Sequence, residues 1–169
     1  MKIASIRTES GDRLSLALGD TLFDISTAAS HFGIDGLSEL MTDLISDVIE
    51  RPWRQAALTR LAEAFYQLDS AESDQLKISD NFTWLPPLRR PGKILCVAMN
   101  NKASDERKIS APSHPAFFLK PSSCLVGHQQ PIELREYCGS VHPEPELALV
   151  IGKRVRDVSA KDAWDAIYD

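Results

Sequence analysis

Two carboxylates stand one residue apart in the sequence HPEPELALVIG, which covers residues 142–152. Side chains at positions i and i+2 of an extended strand point to the same face, so Glu144 and Glu146 are expected to project together, with His142 in line behind them. Two carboxylates this close repel each other unless a cation lies between them or one is protonated. Hard oxygen ligands favour Mg²⁺, Mn²⁺ or Ca²⁺. The spacing therefore predicts a candidate site for a divalent cation.

The same residues also fit a solvated edge strand. Pro143 and Pro145 have no backbone N–H group, and proline within a sheet is typical of edge strands. An octahedral metal site needs more than two ligands, so the carboxylate pair does not define one by itself. His142 could coordinate a metal, but an isolated His near such a site more often orients a neighbouring side chain or faces solvent. From spacing alone, both interpretations stay open.

Composition excludes several classes of function. The 169 residues carry a formal net charge of −5, and their Lys and Arg residues are scattered, so we expect no nucleic-acid partner. The apolar stretches are too short to span a bilayer and the N-terminus lacks an apolar signal core, so we expect no membrane contact and a cytoplasmic location. The three cysteines, Cys96, Cys124 and Cys138, form no CxxC pair, and we expect reduced packing residues.

The elements that must position these residues divide the chain near residue 85. Residues 3–25 alternate apolar and polar side chains around two turn signals, which predicts an antiparallel meander. Three helices are predicted next, from Ser26 or Thr27 to about His31, from Gly36 onward, and over residues 52–68, with Trp53 in the core. Serine and aspartate at 70–80 and three prolines at 86–91 then break the pattern.

Beyond the prolines, short apolar runs replace the helical period. The runs at 93–98, 116–120 and 146–151 predict strands, and a capped helix is predicted to begin at Ser159, with Asp162 three residues further on. The fold class is thus α+β. Residues 1–85 are expected to form a small N-terminal α/β domain, and residues 86–169 a second, mainly β, unit.

Four blocks of the second unit resemble a known family when they are taken in order. They are KILCVAMN at 93–100, FFLKPSS at 117–123, EPELALVIGK at 144–153 and VSAKDA at 158–163. Together they resemble the start of the catalytic core of the fumarylacetoacetate hydrolase family, over about residues 91–169. The resemblance implies a β-roll that holds Mg²⁺ or Mn²⁺, a homodimer, and a variable N-terminal domain in residues 1–85.

The resemblance also implies roles for individual residues. Glu144 and Glu146 fall at the positions of the first two metal ligands. Lys120 falls at a lysine position of the family and could hold an anionic substrate or the carboxylates of the site; it could also be a strand-end charge in solvent. The implied substrate is a 2-oxo acid, whose 1-carboxylate and 2-oxo oxygens would bind the cation.

The sequence departs from the family pattern in the loop after the first strand. Many members that hydrolyse C–C bonds have the motif N-Y-x-x-H-x-x-E there, and its His and Glu activate water. The Tyr, His and Glu positions are occupied here by Asn101, Ser104 and Arg107. Asp105 or Glu106 could take the role of the base, and we name Glu106 as a candidate catalytic residue. A solvated charged loop is the alternative interpretation.

Two further departures concern the approach to the metal and the end of the chain. His142 and Pro143 occupy positions that are often Asp and Tyr in the family. The family's third metal ligand, an Asp, and a catalytic Lys lie beyond the position that matches Asp169. We therefore expect a partial copy of a longer protein.

The function expected from these observations is that of a divalent-metal-dependent enzyme that acts on 2-oxo or 2,4-dioxo carboxylic acids in catabolism, such as aromatic degradation. The reaction would be C–C bond hydrolysis, decarboxylation or keto–enol isomerisation. Because the water-activating pair is missing, decarboxylation and isomerisation are favoured over hydrolysis. The alternative is a non-catalytic family member or fragment that binds a partner chain.

Overall fold

A computed structural model of the chain describes residues 1–38, 44–79, 81–99 and 114–168. Its first part is an antiparallel sheet of four strands in the order β3-β2-β1-β4. The strands are β1 (Lys2–Thr8), β2 (Gly11–Leu18), β3 (Thr21–Asp24) and β4 (Thr83–Trp84). Gly11 and Gly19 have positive φ at the two turns, a conformation that glycine adopts without steric cost. The predicted meander is confirmed in β1 to β3.

Within the described residues, four helices accompany this sheet: α1 (Ile25–His31), α2 (Leu44–Glu50), α3 (Pro52–Phe65) and α4 (Ser70–Leu76). α1 begins after Asp24, whose side chain accepts a hydrogen bond of 2.7 Å from the Thr27 N–H, and α3 begins with proline at its first position. The first and third predicted helices are confirmed, but the predicted start of the first at Ser26 or Thr27 is wrong, because Asp24 is its cap. The second begins later than predicted, because residues 36–38 lie in a turn and a bend, and residues 39–43 lie outside the described ranges.

A hydrophobic core fills the space between this sheet and the helices, and its buried members lie between Leu14 and Leu76. The rings of Phe23 and Phe65 are 4.2 Å apart, centroid to centroid. The expectation that Trp53 lies in the core is wrong, since 52% of its surface is exposed. It stands at the start of α3, one position before the buried Arg54, and so lies off the buried face of that helix.

The second part contains a two-stranded antiparallel sheet, β5 (Ile94–Ala98) and β6 (Ala116–Lys120), as predicted. Val97 pairs with Phe117 and Leu95 pairs with Leu119, so these four side chains share one face. All four are exposed, and we call this set the apolar sheet face. Phe118 and Lys120 lie on the opposite face.

Residues 121–168 are mostly irregular in the structure. Three short 3₁₀ helices interrupt them, at Ser122–Cys124, Glu136–Cys138 and Trp164–Ala166. The predicted strand at 146–151 is wrong except for one bridge between Ile151 and Ile167, because no described strand pairs with it. The predicted C-terminal helix is also wrong in extent. The Ser159 Oγ accepts a hydrogen bond of 3.2 Å from the Asp162 N–H, as a cap should, but only a turn and a 3₁₀ helix follow.

Several contacts join the two parts. The Ser5 hydroxyl donates a 3.4 Å hydrogen bond to the Pro87 carbonyl, and the His128 ring packs edge-on against Trp84, with centroids 5.8 Å apart. Gly127, which is buried, lies directly against the Trp84 carbonyl. The second part therefore packs against β4, an edge strand of the first sheet.

The cysteines are free thiols, as expected. Cys96 is half-buried, but Cys124 and Cys138 are exposed, so the expectation that all three are packing residues is wrong for these two. No helix within the described ranges has the length and apolar character needed to cross a membrane.

Candidate active site

Lys120 is the last residue of β6, and the chain leaves the sheet there because Pro121 cannot donate a ladder hydrogen bond. Its side chain shares a face with Phe118, two residues earlier. The Lys120 Nζ lies 5.8 Å from the centroid of the Phe118 ring, within the range of a cation–π contact. β6 thus presents an ammonium group and an aromatic ring together.

The segment with the two glutamates is extended for a local reason. His142 and Glu144 each precede a proline, and a residue before proline is pushed away from helical backbone angles towards β or polyproline angles. In such a chain, alternate side chains point the same way. His142, Glu144 and Glu146 accordingly all line one depression, as their spacing predicts.

This depression has a volume of about 450 Å³ and is open to solvent. Its walls come from β6 and from the segment 140–146, and its lining residues are Phe118, Lys120, Ser140, Val141, His142, Glu144 and Glu146. Of the residues named from the sequence, the structure therefore brings together Lys120, His142, Glu144 and Glu146. Asp105 and Glu106 lie outside the described residues.

His142 approaches the first glutamate of the pair. Its Nε2 lies 3.6 Å from the Glu144 Oε1, an electrostatic contact slightly longer than a hydrogen bond. Both side chains are well exposed, at 67% for His142 and 61% for Glu144. At that exposure two unit charges 4 Å apart interact by only about 1 kcal/mol, so the depression needs an additional strong interaction to select a ligand.

A divalent cation would supply that interaction, and the donor set fits one. Carboxylate oxygens are the donors that Mg²⁺ and Mn²⁺ prefer, and Mg²⁺ is commonly held by one or two carboxylates with the remaining positions filled by water or substrate oxygens. Within the described part of the chain, no cluster of three or more His, Cys, Asp or Glu residues could hold a metal ion. These residues therefore provide two carboxylates and no third ligand.

Three lining residues carried no role in the sequence-based prediction: Phe118, Ser140 and Val141. Phe118 could have been found from the two-residue period of the strand, which places it beside Lys120. Ser140 and Val141 follow Gly139, which has positive φ, and no local pattern identifies them as lining residues.

Comparison with known proteins identifies the family that residues 93–168 resemble. Residues 93–168 match the family model described as the fumarylacetoacetate (FAA) hydrolase C-terminal domain. A Xenopus laevis protein named as mitochondrial oxaloacetate tautomerase fahd2 is 32% identical over 120 residues, which are 69% of this chain and 38% of the relative. An Arabidopsis thaliana protein named as mitochondrial oxaloacetate tautomerase FAHD1 is 42% identical over 76 residues, which are 44% of this chain and 34% of the relative.

A solved structure supports the fold. The fumarylacetoacetate hydrolase from psychrophilic Exiguobacterium antarcticum superposes with a TM-score of 0.64 at 22% identity, and the match covers 99% of this chain and 52% of that one. The α+β fold is therefore confirmed as that of the fumarylacetoacetate hydrolases. Through residues 93–168, the chain belongs to the fumarylacetoacetate hydrolase family. It spans about half the length of the solved relative and less of the curated ones.

Proposed function

We propose that this chain contributes a divalent-metal site at which a 2-oxo carboxylic acid undergoes keto–enol isomerisation. The observation that carries the proposal is that Lys120, Glu144 and Glu146 line one and the same depression. Two curated relatives are named as oxaloacetate tautomerases, which supports an oxaloacetate-like substrate.

Five of the lining residues have distinct parts in the proposal. Glu144 and Glu146 would hold Mg²⁺ or Mn²⁺, and His142 would orient the Glu144 carboxylate from 3.6 Å away. The ammonium group of Lys120 would hold a substrate carboxylate, and the Phe118 ring would form an apolar wall that keeps that ammonium in place. When bound, the cation acts as a Lewis acid that stabilises negative charge on substrate oxygens.

Isomerisation suits this sequence better than the other reactions of the family. Hydrolysis of a C–C bond requires a base that activates water, and the motif positions for that base hold Ser104 and Arg107. Isomerisation requires only that a proton leave one carbon or oxygen atom and return to another. We propose Glu106 as the group that moves this proton, and its substitution by Gln should lower the isomerisation rate without changing Mn²⁺ affinity.

The test of the metal site is a Mn²⁺ titration followed by electron paramagnetic resonance. Glu146→Gln should weaken Mn²⁺ binding more than about tenfold, since outer-shell changes alone cost 10- to 100-fold. Glu63→Gln, an exposed glutamate on α3, is the matched control and should bind like the wild type. Equal affinity in all three proteins would overturn the proposed site. Enol decay of oxaloacetate, followed with Mn²⁺ and with a chelator, then tests the reaction.

The broader setting is also proposed. We propose that residues 1–85 and 86–169 are separate domains, because the buried core cluster lies within the former and the family match within the latter. A catabolic role and a homodimer are proposed from the family membership. The free cysteines support a reducing compartment, for which we propose the cytoplasm, although the Xenopus and Arabidopsis relatives are named as mitochondrial.

A second candidate function, binding of a partner chain, is favoured by the apolar sheet face defined above. Leu95 is 60% exposed, Phe117 56% and Leu119 66%, and clustered exposed side chains of this kind mark protein contacts. Sedimentation of the wild type and of Leu119→Lys tests this function. A loss of association without any change in Mn²⁺ affinity would support partner binding. A monomeric wild type would argue against self-association through this face.

A further inference from the structure

Tyr168 connects the second part of the chain to a helix of the first part. Its Oη donates a 2.6 Å hydrogen bond to the Gln55 Oε1 on α3, across 113 positions of sequence. Its ring packs against the hydrophobic core, and burial raises the pKa of its hydroxyl, which keeps the group neutral and able to donate. Gln55 is half-buried, so the bond is partly shielded from competing water.

The backbone of Tyr168 holds a second segment at the same point. The Tyr168 N–H donates a 2.8 Å hydrogen bond to the Val150 carbonyl, and the Gly152 N–H donates a 2.7 Å bond to the Ala166 carbonyl. Gly152 sits so close that a Cβ added there would lie 3.1 Å from the Tyr168 Cα. Ala166 is 2% exposed. Two backbone hydrogen bonds therefore hold residues 150–152 against residues 166–168, and we call this contact the seat.

This seat lies just after the glutamate pair. Glu146 and Val150 are four residues apart, so an extended chain of about 3.3 Å per residue separates them by roughly 13 Å. Within the described ranges, the bonds at Val150 and Gly152 are the first backbone hydrogen bonds that follow Glu146. Within the described ranges, this seat is therefore the nearest backbone anchor on the C-terminal side of the segment 142–146.

We propose that Tyr168 and Gln55 are positioning residues, whose hydrogen bond fixes the glutamate-bearing segment relative to α3. Neither residue lines the depression, so neither would contact a ligand there. In this proposal the N-terminal part of the chain has a role at the site, because its helix α3 fixes the position of Glu144 and Glu146. The consequence for metal affinity rests on the proposed function; the mechanical coupling does not.

The experiment compares two test variants, their double variant and two control variants by amide hydrogen exchange and by Mn²⁺ titration. Gln55→Leu and Tyr168→Phe each remove the bond while keeping much of the side-chain volume. Gln55→Glu keeps an oxygen acceptor and serves as the conservative control. Gln67→Leu, at an exposed glutamine outside this contact, controls for the general effect of the substitution.

Gln55→Leu and Tyr168→Phe should speed exchange at the Gly152 and Tyr168 amides by roughly 2- to 13-fold, the range that a single hydrogen bond contributes. Mn²⁺ affinity should fall by a similar factor. Gln55→Glu should behave like the wild type. The double variant Gln55→Leu/Tyr168→Phe should exchange no faster than either single variant, since both remove the same bond.

Unchanged exchange at Gly152 in both single variants would overturn the proposal, as would additive effects in the double variant. A lower melting temperature with unchanged exchange at Gly152 and unchanged Mn²⁺ affinity would show a purely structural role, and would also overturn it. If the wild type fails to bind Mn²⁺, the proposed function fails, and the exchange data alone decide the coupling.

Discussion

Substitution of Gly127 by alanine tests the contact between the two parts of the chain. A Cβ at this position would overlap the Trp84 carbonyl oxygen and lie 3.0 Å from the Leu85 nitrogen, and both of these atoms belong to the backbone. Backbone atoms cannot swing aside as the end of a flexible side chain can. The added methyl group must therefore displace β4 or the loop that carries Gly127.

The expected cost follows from these contacts. Overpacking of this kind costs about 1–3 kcal/mol. Displacement of Leu85 would also weaken its hydrogen bond to the Ser5 carbonyl, which is worth about 0.5–1.5 kcal/mol. We therefore expect Gly127→Ala to lower the free energy of unfolding by at least about 1.5 kcal/mol. For a chain of this size, that corresponds to a fall in melting temperature of at least about 3 °C.

Gly92→Ala is the matched control, because a Cβ at Gly92 meets no atom within 4 Å and its φ lies outside the positive region. It should change stability by less than about 0.5 kcal/mol, or raise it slightly through the unfolded state. Urea unfolding followed by tryptophan fluorescence measures both variants. Equal stability of Gly127→Ala and Gly92→Ala would refute the packing of Gly127 on Trp84.

Two further predictions concern the first part of the chain. The side-chain hydrogen bond from Arg7 holds the pKa of Asp12 below its usual value. The interaction of Arg7 with ionised Asp12 therefore stabilises the folded state fully above about pH 3.9, the unfolded pKa, and this stabilisation is lost as pH falls through the lower folded pKa. The stability difference between wild type and Asp12→Asn in urea should therefore be present at pH 7 and shrink below about pH 4; a constant difference would contradict the ion pair. Leu58→Ala, at a fully buried position, should cost about 2–5 kcal/mol in the same assay, whereas Tyr66→Ala, at a 77% exposed position, should cost less than about 0.5 kcal/mol. Similar losses for the two would contradict the placement of the core.

The elements found from the sequence are those whose signal is local. The meander follows from two-residue alternation between turns at Gly11 and Gly19, and α3 follows from its helical period. α4 was not predicted, because Ser70–Leu76 is polar. It carries a signal nonetheless, since the Asp69 side chain accepts a 2.9 Å hydrogen bond from the Glu72 N–H, and an Asp followed three residues later by Glu is a helix-start pattern.

The candidate site likewise has features that local sequence predicts and features that it does not. The common direction of Glu144 and Glu146 was predictable, because side-chain alternation depends only on the neighbouring residues. The strand predicted over 146–151 was not found, because a ladder needs a partner strand, and local sequence does not specify one. The seat, in which Val150 contacts Tyr168, was not predictable from local sequence either, since it joins residues distant in sequence. The role of Glu106 stays a prediction.

The placement of β4 has a consequence for the order in which the chain folds. β1, β2 and β3 pair with their neighbours in sequence, but β4 returns across more than seventy positions to pair Trp84 with Ile6. Local pairings form quickly, whereas a distant pairing must first close a long loop. During synthesis, the edge of β1 that pairs with β4 stays unpaired until residue 84 has left the ribosome. The strand on which Gly127 packs is thus the last of its sheet to form, so Gly127 has no packing surface until β4 has paired with β1.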